Sequence, residues 1–209
     1  MSRPEHTPVV PLEAGAGPEN PPCPACGEPL FGWLPALPGL AGPVRRCESC
    51  GLGVAGDVGG PEEALRALDA ATRGEGVRIA NRAGLACALG GPGWAGLRPG
   101  ARYLFSVESV RRLVARRDQV VPRRRWAAGE AIALAWQTLL NSVTFGRDVA
   151  LGALGRADAT PAPRAWQRRI DAFASVVLAL PALALALPLE LIAAALGRGG
   201  AYTLKLQLL

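Results

Sequence analysis

Four of the five cysteines form two closely spaced pairs, and this spacing constrains the fold more than any other feature of the sequence. The first pair is Cys23-Pro-Ala-Cys26 and the second is Cys47-Glu-Ser-Cys50, with a glycine after each pair. The tight turn within such a pair directs both thiolates toward one ion, and two pairs supply the four ligands of a tetrahedral site. We therefore predict a metal site whose ligands are Cys23, Cys26, Cys47 and Cys50.

Four soft sulfur ligands are typical of zinc(II) and, less often, of iron. A site closed by four thiolates has no open coordination position, so we expect a structural zinc ion that takes no part in catalysis. The segment between the two pairs contains prolines, leucines and Trp33, and it can supply the short strands of a zinc ribbon. Two disulfides, or four free thiols, are the alternatives to a metal site.

The start of the chain favours the metal over the disulfides. Residues 1–22 are rich in Pro, Gly and Glu, and they have neither the basic start nor the continuous apolar run of a secretory signal. We expect a disordered leader and a reducing, cytoplasmic compartment, in which disulfides are rare. The fifth cysteine, Cys87, lies between two alanines, and we expect it to be a small buried apolar residue.

The charges argue against a nucleic-acid partner. The net charge is +6, but residues 1–60 are net acidic and the remainder is net basic. Aromatic residues amount to only 5 %, which leaves few side chains on which bases can stack. The densest basic run therefore indicates either a solvated face or a contact with membrane headgroups. Its members are Arg111, Arg112, Arg116, Arg117, Arg123, Arg124 and Arg125.

The middle of the chain alternates between helical and extended patterns. Pro61 and Ser106 are favourable first residues for helices, and apolar residues follow each of them at helical spacing. The patterns predict a helix at 61–73, a strand at 77–81, a Gly-rich loop at 90–96, a helix from Ser106 to about 117, a strand at 119–122 and a helix at 128–143.

This order of elements resembles the C-terminal half of bacterial class I S-adenosylmethionine-dependent methyltransferases. In that family a strand ends in a Pro-Asn-like step, a loop with a Trp follows, and a His-Leu-x-x-Phe-Ser segment leads into a helix. Here a strand ends at Asn81, Trp94 lies in the loop, and residues 103–113 contain Leu-Phe-Ser before the helix. Several members also carry a CPxCG…CxxCG zinc module, which residues 23–51 match.

The resemblance implies an α/β fold in two parts. Residues 23–52 are expected to form the zinc ribbon. Residues 61–209 are expected to form the C-terminal half of a Rossmann-like methyltransferase sheet, with helices and one long apolar C-terminal helix.

The family's cofactor site has no counterpart in this sequence. That site needs a first strand, a Gly-rich turn and an acidic residue at the end of the second strand, and only about ten residues separate Leu52 from Pro61. Ala101 stands where the family has its His, and Ala80 stands where it has the Pro. The single histidine, His6, lies in the leader, which excludes most imidazole-based catalysis. We expect no catalytic and no cofactor-binding residues.

Residues 172–197 form the most apolar segment. Residues 172–189 contain no charged residue, and as a helix they would extend about 27 Å, close to the thickness of a bilayer core. The following residues 201–208 alternate like a half-buried strand, and in the similar proteins such a strand rejoins the sheet. Both ends of the segment would then lie on one side of a membrane. We therefore favour contact from one side over a single span or a buried core helix.

Three functions follow from these observations. The first is a non-catalytic, zinc-stabilised remnant of a methyltransferase, bound to the inner face of the cell membrane. The second is an S-adenosylmethionine-dependent methyltransferase that acts with a partner chain carrying the missing half. The third is a zinc-ribbon adaptor that binds protein or nucleic acid. In each case three strands would have exposed edges, so we expect a homo-oligomer or a partner chain that covers them.

Overall fold

The structure is a computed structural model, and it describes residues 20–73, 76–155 and 159–208. Most of the expected leader at 1–22, including His6, lies outside the described residues. Within these ranges the chain is a mixed α/β protein with seven α-helices and two four-stranded antiparallel sheets. This confirms the expected α/β class, but the antiparallel pairing of every strand in the second sheet does not confirm the expected Rossmann-like sheet, in which most strands are parallel.

The strands are numbered in chain order. They are β1 (Leu30–Leu34), β2 (Val44–Cys47), β3 (Gly53–Ala55), β4 (Thr72–Arg73), β5 (Gly76–Ala80), β6 (Tyr103–Leu104), β7 (Gln119–Trp126) and β8 (Ala201–Leu208). The α-helices are α1 (Pro61–Ala70), α2 (Leu85–Gly90), α3 (Val107–Val114), α4 (Ala128–Asn141), α5 (Val149–Ala153), α6 (Ala165–Val177) and α7 (Ala179–Ala195).

The first sheet has the strand order β1-β2-β3-β6 and carries the cysteine pairs. Its first three strands are consecutive and short, and β6 joins from a distant part of the sequence by pairing Gly53 with Leu104. A Cβ atom at Gly53 would lie 3.1 Å from the Cβ of Leu104, so the glycine allows the close packing of this pair. The sheet therefore extends beyond residues 23–52 on its β3–β6 side.

The second sheet has the strand order β4-β5-β8-β7, and the C-terminal strand β8 lies inside it. Tyr202 on β8 is paired with Ile79 on one side and with Trp126 on the other. Leu204 is fully buried and its neighbour Lys205 is exposed, as the alternating pattern predicted. The bounds of β8 agree with the strand predicted at 201–208.

Two elements of this sheet differ from the prediction. The helix expected at 61–73 ends at Ala70, and Thr72–Arg73 instead forms β4, which pairs with β5. The strand expected at 119–122 continues to Trp126, because it pairs with β8 along most of its length. The register shifts near Pro122, which cannot donate a backbone hydrogen bond and is tolerated because β7 is an edge strand.

The predicted start of α3 is confirmed. The Ser106 hydroxyl oxygen accepts a hydrogen bond from the Ser109 N–H at 2.9 Å, and the Ser109 hydroxyl oxygen accepts one from the Ser106 N–H at 2.9 Å. The helix ends at Val114 and continues as a 3₁₀ turn through Ala115–Arg117, close to the predicted end. The helix predicted at 128–143 is also present as α4, and it ends at Asn141.

The segment predicted as a Gly-rich loop is more regular than expected. Helix α2 reaches Gly90, and Gly91–Gly93 forms a 3₁₀ turn. Trp94 follows and is fully buried. The helical pattern of α2 is only six residues long, which is too short for the periodicity to be recognised in the sequence.

The expected long apolar C-terminal helix is wrong. The segment forms two helices, α6 and α7, which are bent by 59° at Leu178. In one continuous helix the nitrogen of Pro181 could not donate to the Val177 carbonyl, and the proline ring would collide with it. Among the described residues, no helix alone has the length and apolar composition needed to cross a membrane. The bent pair α6 and α7, taken together, has both.

Two buried carboxylates attach these helices to the rest of the protein. Asp171 on α6 accepts hydrogen bonds from the N–H groups of Phe145 and Gly146, both at 2.8 Å. Glu190 on α7 is fully buried and accepts a hydrogen bond at 2.8 Å from the N–H of Gly200, directly before β8. The orientation of α7 relative to the second sheet is thus fixed at the turn that leads into β8.

The contribution of the hydrogen bond between Glu190 and Gly200 to stability can be tested by mutation. We expect Glu190→Ala to lower the free energy of unfolding by about 2 kcal/mol, because it leaves a buried N–H without an acceptor. Glu190→Gln keeps an acceptor oxygen of the same reach and should stay within about 1 kcal/mol of the wild type. Denaturant unfolding measures both values. Equal losses in the two variants would contradict the assigned role of this hydrogen bond.

Candidate metal centre

The structure brings the four predicted cysteines together. Their sulfur atoms all lie within 4.8 Å of one another. The Sγ atoms of Cys23 and Cys50 are 3.6 Å apart, and those of Cys26 and Cys47 are 3.5 Å apart. Four sulfurs at about 2.3 Å from a central ion are separated by roughly 3.8 Å, so the cluster fits a tetrahedral ion with small adjustments. These four residues can hold a metal ion.

Local turns create this geometry. The Gly27 N–H donates to the Cys23 carbonyl at 2.8 Å, and the Gly51 N–H donates to the Cys47 carbonyl at 3.0 Å. Both glycines have positive φ angles, +82° and +74°, which a residue with a Cβ atom rarely adopts. The glycine after each cysteine pair therefore closes the turn that directs two sulfurs to the same point.

The first sheet brings the two turns to the same place. Strands β1 and β2 are antiparallel, and Leu30 at the start of β1 is paired with Cys47 at the end of β2. The first cysteine pair precedes β1, and its segment is attached to the strand, since the Leu30 N–H donates to the Pro21 carbonyl at 3.0 Å. Both pairs consequently lie at one end of the β1–β2 hairpin.

Burial of the cluster disfavours the charged thiolate form of its cysteines. Three of the four cysteines are buried, and Cys26 is half-buried. A hydrogen bond between the Cys23 and Cys50 sulfurs lowers the pKa of Cys23 to about 5. The same contact raises the pKa of Cys50, and burial raises the pKa of Cys26. Four thiolates cannot share this space without a cation, so metal binding and loss of the thiol protons are coupled.

The cluster is joined to the rest of the protein through α3. The Ser106 hydroxyl, which caps α3, donates to the Cys50 carbonyl at 2.5 Å. A Cβ atom at Gly51 would lie 3.2 Å from the Ser106 side chain, so the two turns are in close contact. One buried apolar cluster contains three of the cysteines together with residues of α1, α3, β5 and β8.

The fifth cysteine lies apart from the cluster, as expected. Cys87 is on α2, is 3 % exposed and packs with apolar residues such as Leu34 and Trp94. Burial raises the pKa of its thiol to about 12, so it stays protonated and unreactive near neutral pH.

Asn81, which carries part of the family resemblance, makes hydrogen bonds that connect parts of the fold. Its side-chain N–H donates to the Gly199 carbonyl at 2.9 Å, and its side-chain oxygen accepts from the Ala83 N–H at 3.2 Å. Its backbone N–H donates to the Gly200 carbonyl at 2.7 Å. These bonds connect the end of β5 to the turn before β8.

The apolar segment presents its large side chains to the outside. Helices α6 and α7 pack on the protein chiefly through small or polar residues, among them Ala186 and Ala193. The exposed large apolar side chains of the two helices are Trp166, Ile170, Phe173, Val176, Val177, Leu180, Leu183, Leu185, Leu187, Leu191 and Ile192.

A cleft beside the cysteine cluster was not predicted from the sequence. The arginines that line it come from separate segments of the chain, so no sequence window shows them together. They are Arg46, Arg82, Arg111, Arg124 and Arg198.

Comparison of the chain with protein-family models, with curated proteins and with solved structures gives no match. The resemblance to class I methyltransferases therefore stays a prediction from the sequence.

An experiment can distinguish the four clustered cysteines from Cys87. We expect about one metal ion per chain in the wild type and in Cys87→Ser, because Cys87 lies outside the cluster. Cys50→Ser removes one ligand of four and should lose the metal during purification. Elemental analysis of the purified proteins measures the content. Full metal content in Cys50→Ser, or its loss in Cys87→Ser, would contradict the assignment.

Proposed function

We propose that the chain is a zinc-stabilised, non-catalytic protein that docks on a membrane surface through α6 and α7. The observation that carries the proposal is the set of eleven large apolar side chains that these two helices expose, with Phe173 at 70 % and Leu180 at 76 % exposure. Protein surfaces that remain in water rarely expose apolar patches of this extent.

We propose that the metal held by the cluster is zinc. All four donors are sulfur, which favours zinc over the harder cations that prefer oxygen ligands. With four protein ligands the ion has no free position for water or substrate, so its role is to stabilise the first sheet. We expect the metal found in the purified protein to be zinc.

The attachment of the two helices favours docking from one side. Asp171 anchors α6, Glu190 anchors α7, and β8 returns directly into the second sheet. The bend of 59° allows both helices to lie along a surface. Arg164, Arg168 and Arg169 lie at the start of α6, where guanidinium groups can meet anionic headgroups. We place this contact at the cytoplasmic face of the cell membrane.

We propose that the fold descends from a class I methyltransferase that lacks its cofactor-binding half. The return of β8 into the sheet after Gly199 and Gly200 agrees with what the resemblance implied. Between the second cysteine pair and α1, residues 51–60 hold the three-residue strand β3 and loops. That length does not accommodate the strand, Gly-rich turn and acidic residue that the family uses to bind S-adenosylmethionine.

A second candidate is a methyltransferase that is completed by a partner chain. The observation in its favour is β7, an eight-residue strand at the edge of the second sheet, whose outer backbone groups can pair with another strand. A second copy of this chain, or a different chain with the missing half, would suit this edge.

The two candidates differ in their binding of S-adenosylmethionine. Calorimetric titration of the cofactor into the zinc-loaded chain should give no heat at about 1 mM cofactor, since the cofactor half is missing. Binding in the micromolar range would favour the second candidate and would contradict a non-catalytic remnant. S-adenosylhomocysteine serves as a matched ligand in the same experiment.

Membrane docking is tested with two matched double variants. Leu180→Ser with Leu185→Ser removes two exposed leucines from α7, while Leu89→Ser with Leu154→Ser removes two that are similarly exposed elsewhere. Burying a leucine in an apolar phase contributes about 2 kcal/mol, so we expect the α7 variant to bind vesicles at least tenfold more weakly than the wild type. The control variant should bind like the wild type.

The measurement is co-sedimentation with vesicles of mixed phosphatidylcholine and phosphatidylglycerol. Equal binding of the two double variants would contradict docking through α7. Absence of sedimentation for the wild type would contradict membrane docking altogether.

A further inference from the structure

The cleft beside the cysteine cluster has the dimensions of a ligand site. Its volume is about 610 Å³, within the range of pockets that enclose small molecules. Its walls are the second cysteine turn at 48–51, the loop after β5 at 81–84, the start of α3 and the turn at 197–198.

The charges that line the cleft are unbalanced. Its two carboxylates are already paired, because Glu48 contacts Arg46 at 2.7 Å and Glu108 contacts Arg112 at 3.0 Å. Three further guanidinium groups line the cleft and have no carboxylate within ion-pair distance in the described ranges 20–73, 76–155 and 159–208. They belong to Arg82, Arg124 and Arg198.

Arg82 is the most informative of the three. It is half-buried, and its Nε is buried without an acceptor in the part of the chain that the structure describes. Its guanidinium lies over the ring of Trp33, 4.5 Å from the ring centre. Burial lowers the pKa of Arg82. A buried, unpartnered N–H of a cationic group calls for an anionic acceptor.

The backbone that carries these arginines is firmly held. The Arg82 N–H donates to the Phe105 carbonyl at 3.0 Å, and the Leu85 N–H donates to the Arg198 carbonyl at 3.0 Å. A Cβ atom at Gly84 would lie 3.0 Å from the Gly199 carbonyl oxygen, so this loop packs directly against the turn before β8. Arg124 lies over the ring of Tyr202, 5.6 Å from the ring centre. The ring contacts therefore orient the guanidinium groups of Arg82 and Arg124, and the backbone bonds fix the positions of Arg82 and Arg198.

We propose that this cleft binds a doubly charged phosphate group, carried either by a soluble organic phosphate or by a lipid headgroup. Three guanidinium groups that have no carboxylate partner among the described residues exceed the charge of one carboxylate and suit a phosphate dianion, whose oxygens can accept paired N–H bonds from a planar guanidinium group. The start of α3 at Val107 lines the same cleft, and the first-turn N–H groups of a helix also favour an anion.

The direct test is calorimetric titration of inorganic pyrophosphate into the metal-loaded full chain. We expect a dissociation constant below about 1 mM for the wild type. Arg82→Gln and Arg124→Gln should each weaken binding about tenfold, because each removes one charge-assisted contact. Arg123→Gln is the matched control, since Arg123 is the neighbour of Arg124 on β7 and does not line the cleft.

Unfolding curves of each variant show whether the fold is retained. If Arg82→Gln does not fold, the double variant Arg124→Gln with Arg198→Gln takes its place, because both residues are exposed. No heat from pyrophosphate with the wild type would overturn the proposal, and so would an equal loss in Arg123→Gln.

Vesicles distinguish the two sources of the phosphate. If the phosphate is a lipid headgroup, the Arg82→Gln variant should bind vesicles that contain phosphatidic acid about tenfold more weakly than the wild type does. A loss seen only with pyrophosphate identifies a soluble phosphate compound. The variant Leu180→Ser with Leu185→Ser should keep its pyrophosphate binding, so failure of membrane docking and failure of this site give different results.

Discussion

The convergence of four cysteine sulfurs is the contact on which the rest of the structure depends. Cys23, Cys47 and Cys50 are buried in the same apolar cluster as residues of α1, α3, β5 and β8. A bond from the Ser106 hydroxyl to the Cys50 carbonyl then fixes the start of α3 against the second cysteine turn. Because four thiolates in a buried site would repel one another, we expect a bound cation to stabilise this arrangement and, through the shared apolar cluster, the packing of the two sheets.

The same contacts shape both surfaces to which we assign a function. The cysteine turn at 48–51 and the loop at 81–84 both line the cationic cleft. The turn at 197–200 contributes Gly197 and Arg198 to the same cleft and is held by the side chains of Asn81 and Glu190. Since Glu190 lies on α7, the orientation of the exposed apolar helices depends on the same turn.

The features predicted correctly from the sequence are those determined by local interactions. The cysteine cluster could be predicted because each cysteine pair lies in one local turn. The start of α3 could be predicted because Ser106 caps the helix through a residue three positions later. Strand β8 could be predicted because its alternating pattern lies within eight residues. The pairing of β6 with β3 and the formation of β4 after α1 depend on distant partners, so the sequence pattern could not indicate them. The cleft has no local pattern either, because its arginines come from five separate segments. The bend at Leu178 follows from Pro181, because a proline lacks a backbone donor and can kink a helix, but the sequence does not show whether the kink separates one helix into two.

Hydrogen exchange of the full chain with and without a strong chelator tests most directly whether the metal supports the whole fold. If the cysteine cluster stabilises both sheets, removing the metal should abolish protection of the backbone N–H groups in β1 to β3 and also in α3, β5 and β8. Unchanged protection of α3, β5 and β8 after metal removal would contradict this dependence, and would limit the role of the metal to the first sheet.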